Sequence, residues 1–367
     1  MLRTNGLVAA IAAAFIIAPD LVPANSAAVQ QGGKPSPQAS LGAFKSHKYV
    51  YVDLGPAEYA QINRSGDLLI IREGGPGSIT EIRGHSKTYV LPPTSAKYSR
   101  IGVSINDQGD VVGEIVSKYV LPALWRNHAL RLLGGAKLKN SKLKSRSIGV
   151  ASGINNYGVV VGSRWLPHDG SDAVIFTETA MKILPRPRAS VSSNARGITD
   201  NDTIFGWYKD KKQTLYATVW HGSHYTILPV LSPYTNSQAF AGNAANQFAG
   251  VSSLTGNSGT DSEESVRSAT IWKNGKAFEL KSLGGNKSTA YAINLGGWAG
   301  GSSTTVEGAE RAVIWDDTGV HDLNVTAAIA SPDTTLQAVN QVTDDGFIIG
   351  QSLVSGNRHQ FELIPTP

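Results

Sequence analysis

The sequence predicts an all-β chain: a seven-bladed β-propeller of four-stranded antiparallel blades, its ring closed by the N-terminal strand completing the C-terminal blade. Three observations predict it. A turn motif recurs seven times. An apolar motif ending in a large aromatic follows most copies. The last copy stops one strand short, and a matching strand stands alone near the N-terminus. Composition agrees. Of 367 residues, 39 are Gly, two are Met and none is Cys. This argues against a coiled coil or helical bundle. It excludes a disulfide framework, a thiolate metal site, a thiol nucleophile and a lipoprotein anchor. Lys and Arg number 33 against 28 Asp and Glu, a net charge of +5, too mild at this length to imply specific nucleic-acid binding.

The N-terminus reads as an address. Arg3 precedes an uncharged apolar run, Leu7 to Ile17, of eleven residues, too short to span a bilayer comfortably. Ala24-Asn25-Ser26-Ala27-Ala28 follows, and Ser26 and Ala28 fit a cleavage site. Residues 1–28 are therefore expected to be a signal peptide, and the mature chain secreted, extracellular or periplasmic. Residues 29–47, with Gln30-Gln31-Gly32-Gly33-Lys34-Pro35, read as a flexible linker. Residues 48–367 read as one propeller domain, with no transmembrane segment after cleavage.

The turn motif is Ile-Asn, one or two turn residues, Gly, three mostly apolar residues, Gly. It reads Ile105-Asn106-Asp107-Gln108-Gly109-Asp110-Val111-Val112-Gly113 and Ile154-Asn155-Asn156-Tyr157-Gly158-Val159-Val160-Val161-Gly162. Weaker copies begin at Ile62, Ile198, Gly242, Ile293 and Val342, and successive copies are 43 to 51 residues apart. Each copy predicts a first strand ending at the Asn, a tight turn and a second strand. The Asn side chain can bond its own backbone, and the first Gly can take φ > 0. The third strand carries Ala217-Thr218-Val219-Trp220, Ala269-Thr270-Ile271-Trp272 or Ala312-Val313-Ile314-Trp315, with Trp125 and Phe176 at equivalent places. Eight residues on stands Leu133, Leu184, Leu228, Leu280 or Leu323, the spacing of a hairpin into a fourth strand. A third strand apolar on both faces needs a sheet on either side, which a propeller supplies. After His359 to Leu363 the chain ends without a fourth strand, and Tyr49 to Gly55 matches it.

The repeated A-x-x-I-N-x-x-G-x-V-V-G and A-x-x-W units resemble the extracellular repeats of the HAF family, a group of exported bacterial proteins. The resemblance covers about residues 48 to 367. The family's name reflects a His-Ala-Phe stretch, and His359-Gln360-Phe361 departs from it at one position. The resemblance implies an architecture and nothing catalytic.

Chemistry is harder to read. No H-E-x-x-H, G-x-S-x-G or P-loop is present. Asn106 to Asp110 and Thr343 to Gly346 look like short calcium loops, but calcium wants six to eight oxygens and these turns are better read as Asx-stabilised. No metal or cofactor is implied. Trp125, Trp220, Trp272 and Trp315 read as core between blades rather than sugar platforms. His221 and His224 read as surface residues of a hairpin. Trp165, His168 and Asp169 are placed in the connection between the second and third strands of the third repeat, as an acid-base or sugar-stacking candidate set. The run Lys137 to Arg146 holds five cations (Lys137, Lys139, Lys142, Lys144, Arg146) and no acid. It fits an anionic partner or a solvated loop.

Length variation sits in two connections of each repeat, the second-to-third and the fourth-to-first, which emerge on one face. Insertions on one face mark the binding face of a repeat fold. The basic run and the segment Ser253 to Val266, with Asp261, Glu263 and Glu264, would share it. First-strand residues near the axis look small, mostly Ala, Ser, Gly and Ile. The expected function is therefore a secreted binding module for an anionic polysaccharide or cell-surface component, acting as a monomer. The alternatives are a polysaccharide lyase or hydrolase at the funnel, or a purely structural surface protein.

Overall fold

The computed structural model describes residues 44, 48–72, 78–84, 87–92, 99–116, 119–136, 148–166, 170–254, 266–326 and 332–366. The described chain is all-β apart from a single helical turn at Leu323–Thr326. Its strands form antiparallel four-stranded meanders. The first sheet is Tyr59–Ile62, Leu68–Arg72, Ile79–Arg83 and Thr88–Val90. The second is Ser99–Ile105, Val111–Val116, Val120–Arg126 and Ala129–Leu132. The third is Gly149–Ile154, Val160–Trp165, Ser171–Phe176 and Met181–Ile183. The fourth is Ser190–Ile198, Ile204–Asp210, Leu215–His221 and His224–Ile227. The fifth meander (Asn236–Gly242, Phe248–Ser253, Arg267–Lys273, Lys276–Glu279) and the sixth (Gly284–Ile293, Ala299–Thr305, Glu310–Asp316, Gly319–Asp322) are joined by one parallel pair, Arg267 with Lys287. The last sheet takes Thr334–Val342, Ile348–Val354 and Asn357–Thr366 from the C-terminus and Lys48–Pro56 from the N-terminus. Lys48 pairs with Thr366 and Pro56 with His359.

The first strands of successive sheets pack against one another, and Thr334–Val342 packs against Tyr59–Ile62. The two glycines of the turn motif have separate reasons. Gly109 has φ 76°, in the turn where Asn106 Oδ1 accepts the N–H of Gln108 and Asp110. Gly113 is required by a β-bulge. Between Gly102 and Ser104 the first strand carries one extra residue, and its backbone swings so close that a Cβ on Gly113 would sit 1.9 Å from Ile101 O. The same bulge recurs at Ser152, Arg196, Phe240, Tyr291 and Asn340, which is why Gly returns at that place in the second strand.

Four junctions between successive sheets are held by a buried tryptophan, and three of these also by an Ala–Ser bond. Trp125, Trp220, Trp272 and Trp315 are all at least 98% buried. Their Nε1–H groups donate to Pro92 O, Pro185 O, Pro229 O and Lys281 O of the preceding sheet at 2.6–2.8 Å. Burying an indole requires such an acceptor. The Ala of the third-strand motif donates its N–H to a Ser on the next first strand: Ala173 to Ser193, Ala217 to Ser237 and Ala269 to Ser288. The motif Leu lies one residue past the fourth strand and is buried at 133, 184, 228 and 323. Phe44, which composition assigns to the linker, is also buried. Its ring stacks on Tyr49 and meets Trp298 edge-on, and its N–H donates to Asp316 Oδ2 at 2.7 Å.

Candidate functional site

A four-stranded meander puts its two hairpins at one end and its other two connections at the opposite end. At the hairpin end the turns are bound to each other. Asn63 Nδ2 donates to Asn106 O, Asn106 Nδ2 to Asn155 O and Asn155 Nδ2 to Thr199 O. Asn201 Nδ2 donates to Ala244 O, Asn243 Nδ2 to Asn294 O and Asn294 Nδ2 to Thr343 O. Arg64 then reaches Asp344 at 3.0 Å. The calcium-like turns are thus occupied by their own backbone and their neighbours. Among the described residues no group of three or more His, Asp or Glu side chains could hold a metal ion.

Of the sequence candidates, Trp165 is the one among the described residues, at the opposite end of the third sheet. Trp165 is a correction to the expectation of a loop residue. It is the last residue of its strand, pairs with Ser171, and is half-buried against the apolar cluster containing Val116, Val120 and Val150. Apolar neighbours across the junction extend the strand that far, a contact that local spacing does not encode. His168 and Asp169 lie outside the described residues, between Leu166 and Gly170, which are joined by a 2.8 Å hydrogen bond from Leu166 N–H to Gly170 O. Lys137, Lys139, Lys142, Lys144 and Arg146 also lie outside the described residues, as do residues 255–265. The far flank of the basic run is described: Ile148 O accepts the N–H of Trp165 at 3.0 Å. In the sequence Arg146 thus stands two residues before the residue bonded to Trp165.

Beside Trp165 is a group that sequence reasoning missed. Asp172 is 97% buried. Arg164 directs Nε and Nη2 at Asp172 Oδ2, at 2.9 and 2.7 Å. Arg186 Nη2 stands 3.2 Å from Asp172 Oδ1. Arg186 is held from both sides. Leu184 N–H bonds Ala173 O, Pro185 O accepts from Trp220, and Ser190 bonds Pro187 O through both N–H and Oγ. The signal was available: Leu184-Pro185-Arg186-Pro187-Arg188 is a cation between two prolines.

The centre also departs from expectation. The bulges turn larger side chains inward than the small first-strand residues suggest. Arg196 Cζ lies 5.2 Å from the centre of the Phe240 ring, and Phe240 stacks on Tyr291 with centroids 5.8 Å apart. All three are buried, and they pack the first strands of the fourth, fifth and sixth sheets against one another. Two further groups are electrostatically unusual. Burial pushes the Glu114 carboxyl up to about 8. Burial also opposes ionisation of Asp316, but hydrogen bonds from Thr318, His321 and the Phe44 N–H outweigh it and hold that carboxyl well below the usual range. His221 and His224 are exposed, as expected of a hairpin.

No family model and no curated protein matches the chain. Among solved structures it is similar to a Mycobacterium tuberculosis puromycin-hydrolyzing peptidase, with 10% identity and a TM-score of 0.47 over 90% of this chain and 55% of that one. It is also similar to a Trypanosoma rangeli sialidase in complex with sialic acid, with 11% identity and a TM-score of 0.39 over 92% of this chain and 59% of that one. The chain thus spans little more than half the length of these proteins. Among the described residues no helix is long and apolar enough to cross a membrane.

Proposed function

We propose that the chain is an exported, HAF-like, closed seven-bladed propeller that binds an acidic polysaccharide at the loop-bearing end of the third sheet. The observation that carries the binding reading is convergence. In the sequence a run of five cations ends two residues before Ile148, Ile148 O accepts the Trp165 N–H, and the neighbouring Arg164 shares the Asp172 carboxylate with Arg186. The closed ring is supported by the pairing of Lys48–Pro56 with Asn357–Thr366. It is also supported by Gln341, whose side chain accepts from Ile62 N–H and donates to Ile62 O at 2.8 and 2.7 Å. Export is supported by the first 28 residues of the sequence. Outside a cell, abundant polyanions are acidic polysaccharides, and clustered cations set on-rate and salt dependence toward them.

The test is retention on a heparin-like resin. Changing Lys137, Lys139, Lys142 and Lys144 together to Gln should leave the melting temperature unchanged. It should abolish retention at physiological salt, where the Debye length is roughly 8 Å. A wild type that is not retained at low salt, or a quadruple variant that elutes with it, overturns the reading. The enzyme reading would need a substrate to reach a proton donor. Glu114 is the one described carboxyl pushed up to about 8, so turnover of acidic polysaccharide lost in Glu114→Gln would favour that alternative.

A further inference from the structure

We propose that Arg164 and Arg186, set around Asp172, form an oxyanion subsite for the carboxylate or sulfate groups of an acidic polysaccharide. The inference rests on the binding reading above and locates it in residues outside the basic run.

A buried carboxylate needs a partner, and one arginine suffices for that, so the bland reading is a structural ion pair. The first sheet supplies the comparison. There Glu81 also lies between two arginines, Arg72 and Arg83, at 2.8 and 2.6 Å. Each nitrogen of Arg72 has an acceptor: Nε binds Glu81, Nη1 binds Pro56 O and Nη2 binds Leu54 O. That guanidinium joins the N-terminal strand to the first sheet. The third sheet differs. Arg164 directs two nitrogens at one oxygen of Asp172 and makes no other hydrogen bond among the described residues. Arg186 Nη1 is buried and finds no acceptor among the described residues. The pair carries two cations against one carboxylate, with side chains 36% and 28% exposed.

Position and rigidity favour a ligand over a leftover charge. The Pro185 and Pro187 anchors fix Arg186 before anything binds, which removes ordering cost. Guanidinium is planar and weakly hydrated, and its paired N–H groups match the spacing of carboxylate and sulfate oxygens. Asp172 Oδ2 takes the Nε–Nη2 edge of Arg164, while Arg186 Nη2 stands 3.2 Å from Oδ1, an ion pair that forms no hydrogen bond. An arriving oxyanion completes the charge balance.

The experiment is isothermal titration of the full chain with polygalacturonate and, separately, dextran sulfate, with neutral dextran as the control. Arg186→Gln should weaken binding of the preferred polymer about tenfold or more, the size expected for a charged hydrogen bond. Asp172→Asn should strengthen it, because both arginines lose the one internal anion that competes for their charge; a purely structural pair predicts no gain. Melting curves of both variants show whether they fold. Should Arg186→Gln fail to fold, Arg188→Gln serves as a charge control and Asp172→Asn carries the test alone. Preference for polygalacturonate identifies carboxylate as the ligand group, and preference for dextran sulfate identifies sulfate. If the wild type binds, the lysine variant does not, and Arg186→Gln binds as the wild type does, the subsite is overturned while the basic-run reading stands. If the wild type binds neither polymer, the polysaccharide reading itself fails.

Discussion

Single residues in this chain do two kinds of work, joining sheets and storing unfavourable burial. Glu114 is the second kind. Its ordinary value of 4.5 is pushed up to about 8 by burial alone. Between those two pH values the folded chain holds a proton that the unfolded chain has released. Stability therefore falls as pH rises through that window, by up to about 1.4 kcal/mol per unit. Glu114→Gln keeps the shape and removes the titration. Its denaturation midpoint should exceed that of the wild type at pH 8, and the difference should shrink toward pH 5. Equal pH slopes for the two proteins would place the carboxyl in solvent. The tryptophans do the first kind of work. Trp220→Phe keeps most of the buried area but orphans Pro185 O, which should cost about 1–3 kcal/mol. Trp220→Ala also opens a cavity, and should cost about 3–5 kcal/mol. Similar melting shifts for the two would mean that the bond to Pro185 dominates.

At the scale of elements, the strand Lys48–Pro56 matters most, because it is remote in sequence from the sheet it completes. Its Val52, Tyr51 and Tyr49 pair with Glu362, Leu363 and Pro365. Arg72 clamps the Leu54 and Pro56 carbonyls behind it. Deleting residues 48–56 leaves Asn357–Thr366 as an open edge with unpaired backbone groups. The loss should be several kcal/mol, a large part of a typical stability of roughly 5–15 kcal/mol. A deletion variant that melts with the wild type would show that the strand is dispensable. This element was legible in the sequence because Asp53-Leu54 repeats Asp322-Leu323. The Trp and Asn positions were legible for the same reason: a repeated contact leaves a repeated residue. What was not legible lacks that repetition. Phe44 and Trp165 owe their burial to partners found once, His321 and Trp298 in one case and the Val150 cluster in the other. The bulges repeat in the backbone but not in the residue they display, so Ser152, Arg196 and Phe240 share a place without sharing chemistry. The subsite of Arg164, Asp172 and Arg186 depends on pairing across strands, which spacing along the chain does not encode. Trp165→Ala should accordingly destabilise the fold measurably, though less than Trp272→Ala, because Trp165 is only half-buried.

For the whole molecule the question is whether the sheets behave as a row or as a ring. A row of repeats has ends, and end repeats fray first, because each has one neighbour instead of two. Here the first sheet has the second on one side and the last on the other. Gln61 Oε1 accepts from Ile105 N–H at 3.0 Å, joining the first and second sheets. Gln341 makes the corresponding bonds to Ile62, joining the last and first. Arg64 and Asp344 add an ion pair at the same junction. Native-state hydrogen exchange distinguishes the two cases. In a closed ring the amides of Leu69 to Ile71 and of Ile348 and Ile349 should open only with global unfolding, as those of Val161 and Ala249 in the middle sheets do. Gln341→Ala should then lower protection in every sheet together, because weakening one junction weakens the single cooperative unit. Selective loss of protection in the first and last sheets of the wild type would mean that the chain behaves as an open row despite its paired termini.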